Sequence, residues 1–192
     1  DKNNNLLPMA RSKGNSNWKE LNLEEFLVPT FGIYDSFDEI DFDKLPNPSE
    51  LYSNIIAKVE DASIYNEEYK EKFDVVLCDV PCSGLGVTFE NPDIKLFREE
   101  KDYLSLQKEQ LSIINNCSKY VKLGGYLIYS TCSIFDRENI EIIKSFMSEK
   151  NVFSIEKINS KLPCETVDGA SYYLPDISCG AGFFVCKLKR EK

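Results

Sequence analysis

The chain has 192 residues, 23 Lys and Arg against 32 Asp and Glu, and no histidine. The missing histidine excludes Ser-His-Asp and Cys-His catalysis and His-ligated metals, so any base must be Asp, Glu, Lys, Tyr or Cys. A hydrophobic content of 42% suits one globular domain with a sizeable core, and no apolar run approaches membrane-spanning length.

The first 22 residues are polar and aperiodic, with Asn3-Asn4-Asn5 and Gly14-Asn15-Ser16-Asn17, and read as a loop or disordered arm. Leu21 to Asn47 mixes Leu, Phe and Ile with many acids and is broken by Pro29, Pro46 and Pro48. Residues 1–50 are therefore expected to form an irregular, partly disordered acidic segment, and residues 51–192 the folded domain. Ile55 to Val59 is a candidate strand, followed by Glu60-Asp61-Ala62. Asp61 on its own fits a turn, where a carboxylate satisfies local backbone.

The run Phe73-Asp74-Val75-Val76-Leu77-Cys78-Asp79-Val80-Pro81-Cys82-Ser83-Gly84 organises the rest of the chain. Val75 to Cys78 reads as a strand buried on both faces. Pro81 removes a backbone donor and must stop the ladder. Gly84-Leu85-Gly86 then permits a sharp turn or a close backbone approach.

Asp102 to Val121 is expected as a helix, with Leu104, Leu111, Ile114, Cys117 and Val121 on one face and Gly124-Gly125 as its stop. A second apolar strand ends in Ser130-Thr131-Cys132-Ser133. A helix follows from about Arg137 to Lys150, with Asp136 as N-cap and Ile140, Ile143 and Met147 inward. Val152 to Ile158 suggests an edge strand, Asn159 to Ala181 a long loop, and Phe183 to Leu188 the last strand.

Strand, helix, strand is the order that gives neighbouring parallel strands. Ligands of open α/β sheets bind at the carboxyl ends of strands. Asp79, Cys82 and Cys132 are therefore expected side by side at one sheet edge. There are seven cysteines, an odd number, with no C-x-x-C, which argues against zinc and against a secreted disulfide framework. Several sit inside apolar runs as small core residues, and an intracellular, reducing compartment fits, with cytoplasm and nucleus both open. The net charge of −9 is uneven. Residues 1–71 carry 7 basic and 15 acidic groups, and residues 72–192 carry 16 and 17. The acidity, unfavourable for binding RNA, thus lies outside the part with the cysteine motifs.

Asp79-Val80-Pro81-Cys82-Ser83-Gly84 followed by Thr131-Cys132-Ser133 resembles the Sun/Fmu (RsmB-like) family of RNA (cytosine-5) methyltransferases. Asn91-Pro92-Asp93-Ile94-Lys95, Glu138-Asn139 and Gly182-Phe183-Phe184 extend the resemblance, which runs from about Ile55 to the C-terminus. It implies an α/β fold: a Rossmann-like methyltransferase sheet, mostly parallel with an antiparallel C-terminal strand. It also implies S-adenosylmethionine as methyl donor, ribosomal or transfer RNA as substrate, and no metal. By resemblance Cys132 is the nucleophile that adds to cytosine C6, Cys82 assists release of the methylated base, and Asp79 faces the base and borders the cofactor. Asp61 would contact the cofactor's adenine side, and Pro81, Ser83 and Thr131 would line the substrate.

Two departures are visible. The family's Gly-rich, Pro-Gly-Gly-Lys-like cofactor loop has no counterpart in this sequence, so the sheet is expected to be incomplete on its N-terminal side. Thr88-Phe89-Glu90-Asn91 stands where the family often has basic residues. A catalytically incomplete relative that binds RNA or protein is the alternative reading.

Overall fold

The computed structural model describes residues 56 and 58–192. The expectations for the N-terminal arm and the acidic insertion lie outside the described residues, as do Ile55 and Ala57 of the first candidate strand. Ile56, Lys58 and Val59 are exposed and in no strand, with Val59 88% exposed. That strand expectation is corrected for these three positions: an apolar run forms a strand only beside a partner ladder, and no strand among the described residues pairs there.

Six strands build one sheet: β1 (Phe73–Asp79), β2 (Val121–Thr131), β3 (Phe153–Ile155), β4 (Glu165–Val167), β5 (Ala170–Tyr173) and β6 (Phe183–Arg190). Their order is β1-β2-β6-β5-β4, with β3 also paired to β6. β1 and β2 are parallel, and the other pairs are antiparallel. Two longer helices, α1 (Glu100–Cys117) and α2 (Ile140–Glu149), pack on each other, and α1 packs on the parallel strands. This is the expected α/β sheet, with an antiparallel part larger than a single strand.

The core follows from side-chain periodicity. Val76 and Cys78 of β1 and Leu127 and Tyr129 of β2 point to one face and meet Ile113, Ile114 and Cys117 of α1 and Ile143 and Phe146 of α2. Phe184, Cys186 and Leu188 extend the same cluster along β6. Each fully buried aliphatic such as Leu127 or Ile143 contributes about 2 kcal/mol. The exposed Lys122–Asp74 pair, 2.9 Å apart, contributes below about 1 kcal/mol. Apolar packing therefore outweighs surface charge in holding the strands together.

Several local expectations are corrected. Among the described residues β1 is covered on one face, since Leu77, between buried Val76 and Cys78, is 48% exposed. α1 ends at Cys117 and continues as one 3₁₀ turn, Ser118–Tyr120, into β2. Gly124-Gly125 is not a helix stop but a bulge inside β2. Phe73 pairs with Val121 and Val75 with Tyr126, so residues 122–125 stand against Asp74 alone, an excess of three on the β2 side. Gly124 takes φ 77°, and a Cβ on Gly125 would stand 2.7 Å from the Asp74 carbonyl oxygen. Leu104, expected inward, is 49% exposed. Asp136 does not cap α2. It accepts the Tyr172 hydroxyl at 2.8 Å, and a 3₁₀ turn, Asp136–Glu138, leads into the helix.

The expected loop 159–181 contains the β4–β5 hairpin. Its turn is Asp168-Gly169, with φ 49° and 89°, the left-handed pair that a tight hairpin requires.

Candidate active site

β1 and β2 deliver their carboxyl ends to the same edge. Asp79 lies opposite Ser130 in the ladder, and Val80 N–H still donates to the Ser130 carbonyl at 3.1 Å. Pro81 then ends pairing, as its missing N–H requires. The chain turns at Gly84, φ 76°, into a 3₁₀ turn, Leu85–Val87. Cys82 on this turn and Cys132 just past β2 come together, with their Sγ atoms 3.0 Å apart. Both are half-buried. Asp79 is exposed at the strand tip, and its Oδ1 accepts the Ser130 hydroxyl at 2.7 Å.

The two thiols titrate apart. The hydrogen bond from Cys82 lowers Cys132 from 9.0 to about 7, against the opposing effects of burial and of the Asp79 and Glu138 carboxylates. Cys82, the donor, is raised well above the ordinary thiol value by that same bond and by burial. Of the pair, Cys132 is therefore the thiol that ionises first and Cys82 the one that keeps its proton. The thiolate is the nucleophilic form of cysteine. No histidine is needed for this activation, because the second cysteine supplies the donor.

Beneath the sulfurs lies a buried polar floor. Glu138 is 0% exposed. Its Oε1 accepts Ser83 N–H at 2.8 Å and Gln110 Nε2 at 3.1 Å. Its Oε2 accepts the Ser83 hydroxyl at 2.5 Å and the Ser133 hydroxyl at 2.7 Å. Asn139 accepts the Thr131 hydroxyl at 2.6 Å and donates to the Ser133 carbonyl at 2.9 Å. Gly86 donates to the Cys132 carbonyl at 2.9 Å, and Gly182 donates to the Gly86 carbonyl at 2.7 Å. The three sequence motifs thus meet at one edge.

Of the residues expected at the site, Cys82, Cys132 and Asp79 are brought together, and Pro81 borders them. Ser83 and Thr131 are buried, with hydroxyls engaged by Glu138 and Asn139, and their side chains form part of the floor. Asp61 is not brought to this edge. Its Oδ1 accepts both Ser63 N–H and the Ser63 hydroxyl, which hold its carboxyl below the usual range. The residues after it, Ala62 and Ile64, give their carbonyls to Asn116 near the end of α1, which leads to the amino end of β2. In this structure Asp61 thus satisfies its own turn.

The sequence reading missed Glu138 and Gln110 as parts of the site. Glu138-Asn139 was visible only as a motif neighbour, and Gln110 only as a polar residue one turn before Ile113 and Ile114.

Among the described residues no group of three or more His, Cys, Asp or Glu is placed to hold a metal ion. None of their helices is long and apolar enough to cross a membrane. Two facing cysteines and a carboxylate at the carboxyl edge of a parallel pair, inside a mixed α/β sheet, define a Rossmann-like methyltransferase fold, which comparison supports. A solved structure of NSun6 from Pyrococcus horikoshii with SFG is 26% identical, covers 60% of this chain and 29% of that one, and superposes with TM-score 0.53.

The chain belongs to the 16S rRNA methyltransferase RsmB/F family, whose model matches residues 47–189. A probable ribosomal RNA small subunit methyltransferase B of Bacillus subtilis is 37% identical over 143 residues, 71% of this chain and 32% of that protein. Ribosomal RNA small subunit methyltransferase B of Klebsiella pneumoniae is 34% identical over 122 residues, 64% of this chain and 27% of that protein. The chain therefore spans about a third or less of the length of these curated relatives.

Proposed function

We propose that the protein methylates C5 of a cytosine in small-subunit ribosomal RNA, with S-adenosylmethionine as methyl donor and a transient Cys132–C6 bond. The observation that carries this reading is the pair of sulfurs 3.0 Å apart, one favoured as thiolate, beside the Asp79 carboxylate. The family match and the relatives' names supply the RNA class. S-adenosylmethionine is supported by SFG, an analogue of it, in the related NSun6 structure.

Cytosine C5 is a poor nucleophile, and the residues here address that. Cys132 thiolate adds to C6, forming an S–C6 bond and shifting electron density to C5. As the S–C6 bond forms at the expense of the C5–C6 π bond, N3 takes a proton from water, and the Asp79 carboxylate, steadied by Ser130, accepts the resulting N3–H. The bound donor supplies an electrophilic methyl on a sulfonium. The exposed Asp79 carboxylate at the strand tip is suited to border such a cation. After transfer the C5 proton passes to water, its electron pair rebuilds the C5–C6 double bond, and Cys132 leaves C6 as thiolate. Cys82 stands at hydrogen-bond distance from the departing sulfur and assists that elimination.

The test is transfer of labelled methyl from S-adenosylmethionine to small-subunit RNA, with nucleoside analysis of the product. Label in 5-methylcytosine supports the reading. RNA binding without label favours the catalytically incomplete alternative.

A further inference from the structure

Cys82 and Cys132 sit on separate turns after separate strands, and no covalent link sets their spacing. The residue that follows each cysteine is a serine, and both serines are fastened to one carboxylate. Glu138 takes Ser83 through its N–H and hydroxyl and Ser133 through its hydroxyl, at 2.8, 2.5 and 2.7 Å. Gln110 extends the hold to the residue before Cys82, donating to the Pro81 carbonyl at 2.9 Å and to Glu138 at 3.1 Å. Its Oε1 is buried without a partner among the described residues, so its donor side alone is in use. Glu138 is fixed in turn by the Tyr129 hydroxyl, which donates to its backbone carbonyl at 2.6 Å.

We infer that Glu138 is a positioning residue. It holds the Cys82 turn and the Cys132 turn at the separation that lets one thiol donate to the other sulfur. The inference rests on the reading of Cys132 as nucleophile given above.

Chemistry separates this role from a direct electrostatic one. The groups that act on Cys132 are Cys82 from the turn after β1, Asp79 from the tip of β1, and Glu138 ahead of α2. A negative Glu138 by itself pushes the Cys132 thiol up, so removing only its charge would bring Cys132 down. Removing its hold on the two turns loosens the Cys82 donor, the largest influence lowering Cys132, and would send Cys132 up. Gln at position 138 keeps the size but turns an amide N–H₂ toward donors that need an acceptor.

The experiment is the pH dependence of Cys132 alkylation by iodoacetamide in the full chain, followed by mass spectrometry of the Cys132 peptide. The parent midpoint is expected near 7. With Glu138→Gln it should rise toward the ordinary thiol value, slowing alkylation at neutral pH roughly fivefold for the first unit of rise. Circular dichroism reports whether the variant is folded. If it is not, Ser133→Ala removes one of the four bonds and should move the midpoint the same way by less. An unchanged or lowered midpoint in a folded variant overturns the inference. Failure of the parent to methylate or capture RNA would instead overturn the proposed function, and would leave this titration standing.

Discussion

The N–H of Gly182 donates to the Gly86 carbonyl at 2.7 Å, and Gly86 donates in turn to the carbonyl of Cys132 at 2.9 Å. Besides the Glu138 hold, backbone bonds thus tie the residue before the last strand, the Pro-Cys turn and the Thr-Cys turn to one another. A Cβ on Gly86 would stand 2.1 Å from the Gly182 carbonyl oxygen and 2.7 Å from that of Cys132. Neither atom belongs to a flexible side chain, so backbone must move. Gly86→Ala should cost about 3 kcal/mol and widen the gap between the sulfurs. Thermal melting together with Cys132 alkylation checks this; a parent-like melt and midpoint would show that the contact is not needed.

The Cys82 thiol is the donor that lowers Cys132 to about 7. Cys82→Ala removes that donor and leaves burial and the two carboxylates, which raise a thiol, against a lesser lowering hydrogen bond from the Cys132 backbone. The midpoint for Cys132 alkylation should therefore move to higher pH, and reactivity at neutral pH should fall. A midpoint still near 7 would assign the lowering to the Cys132 backbone bond instead.

Asn116 acts at the other end of α1. It is buried, and its Nδ2 donates to the carbonyls of Ala62 and Ile64 at 2.7 and 3.0 Å. Asn116→Ala leaves both carbonyls without that donor and should cost about 2 kcal/mol, a fall in Tm of roughly 4–8 °C for a chain of this size. The cysteine pair is held by other residues, so the Cys132 midpoint should stay put. A shift there would mean that the two ends of the helix are coupled.

Range decides which features could be read from the sequence. β1, β2 and the meeting of Cys82 with Cys132 were legible because apolar runs ending in Pro81 and Thr131 have local causes. Gly124 misled because a glycine at positive φ serves a helix stop and a strand bulge equally well. The β4–β5 hairpin carried its signal in Asp168-Gly169, but its strands, three and four residues long, were too short to show alternation. The inward turn of Ser83 and Thr131 had no local sign. It depends on Glu138 and Asn139, which only the fold brings beneath them. Asp136 looked like a cap because its partner, Tyr172, lies 36 residues away.

The central claim is that Cys132 attacks and Cys82 acts afterwards, and trapping of RNA tests it most directly. The protein and its Cys132→Ala and Cys82→Ala variants would be incubated with small-subunit RNA and S-adenosylmethionine, then run on a denaturing gel. Cys82→Ala should accumulate a covalent protein–RNA adduct, because attack survives and elimination is impaired. Cys132→Ala should give neither adduct nor methyl transfer. An adduct with Cys132→Ala and none with Cys82→Ala would reverse the roles, and a parent that methylates while neither variant traps RNA would contradict the paired-cysteine mechanism.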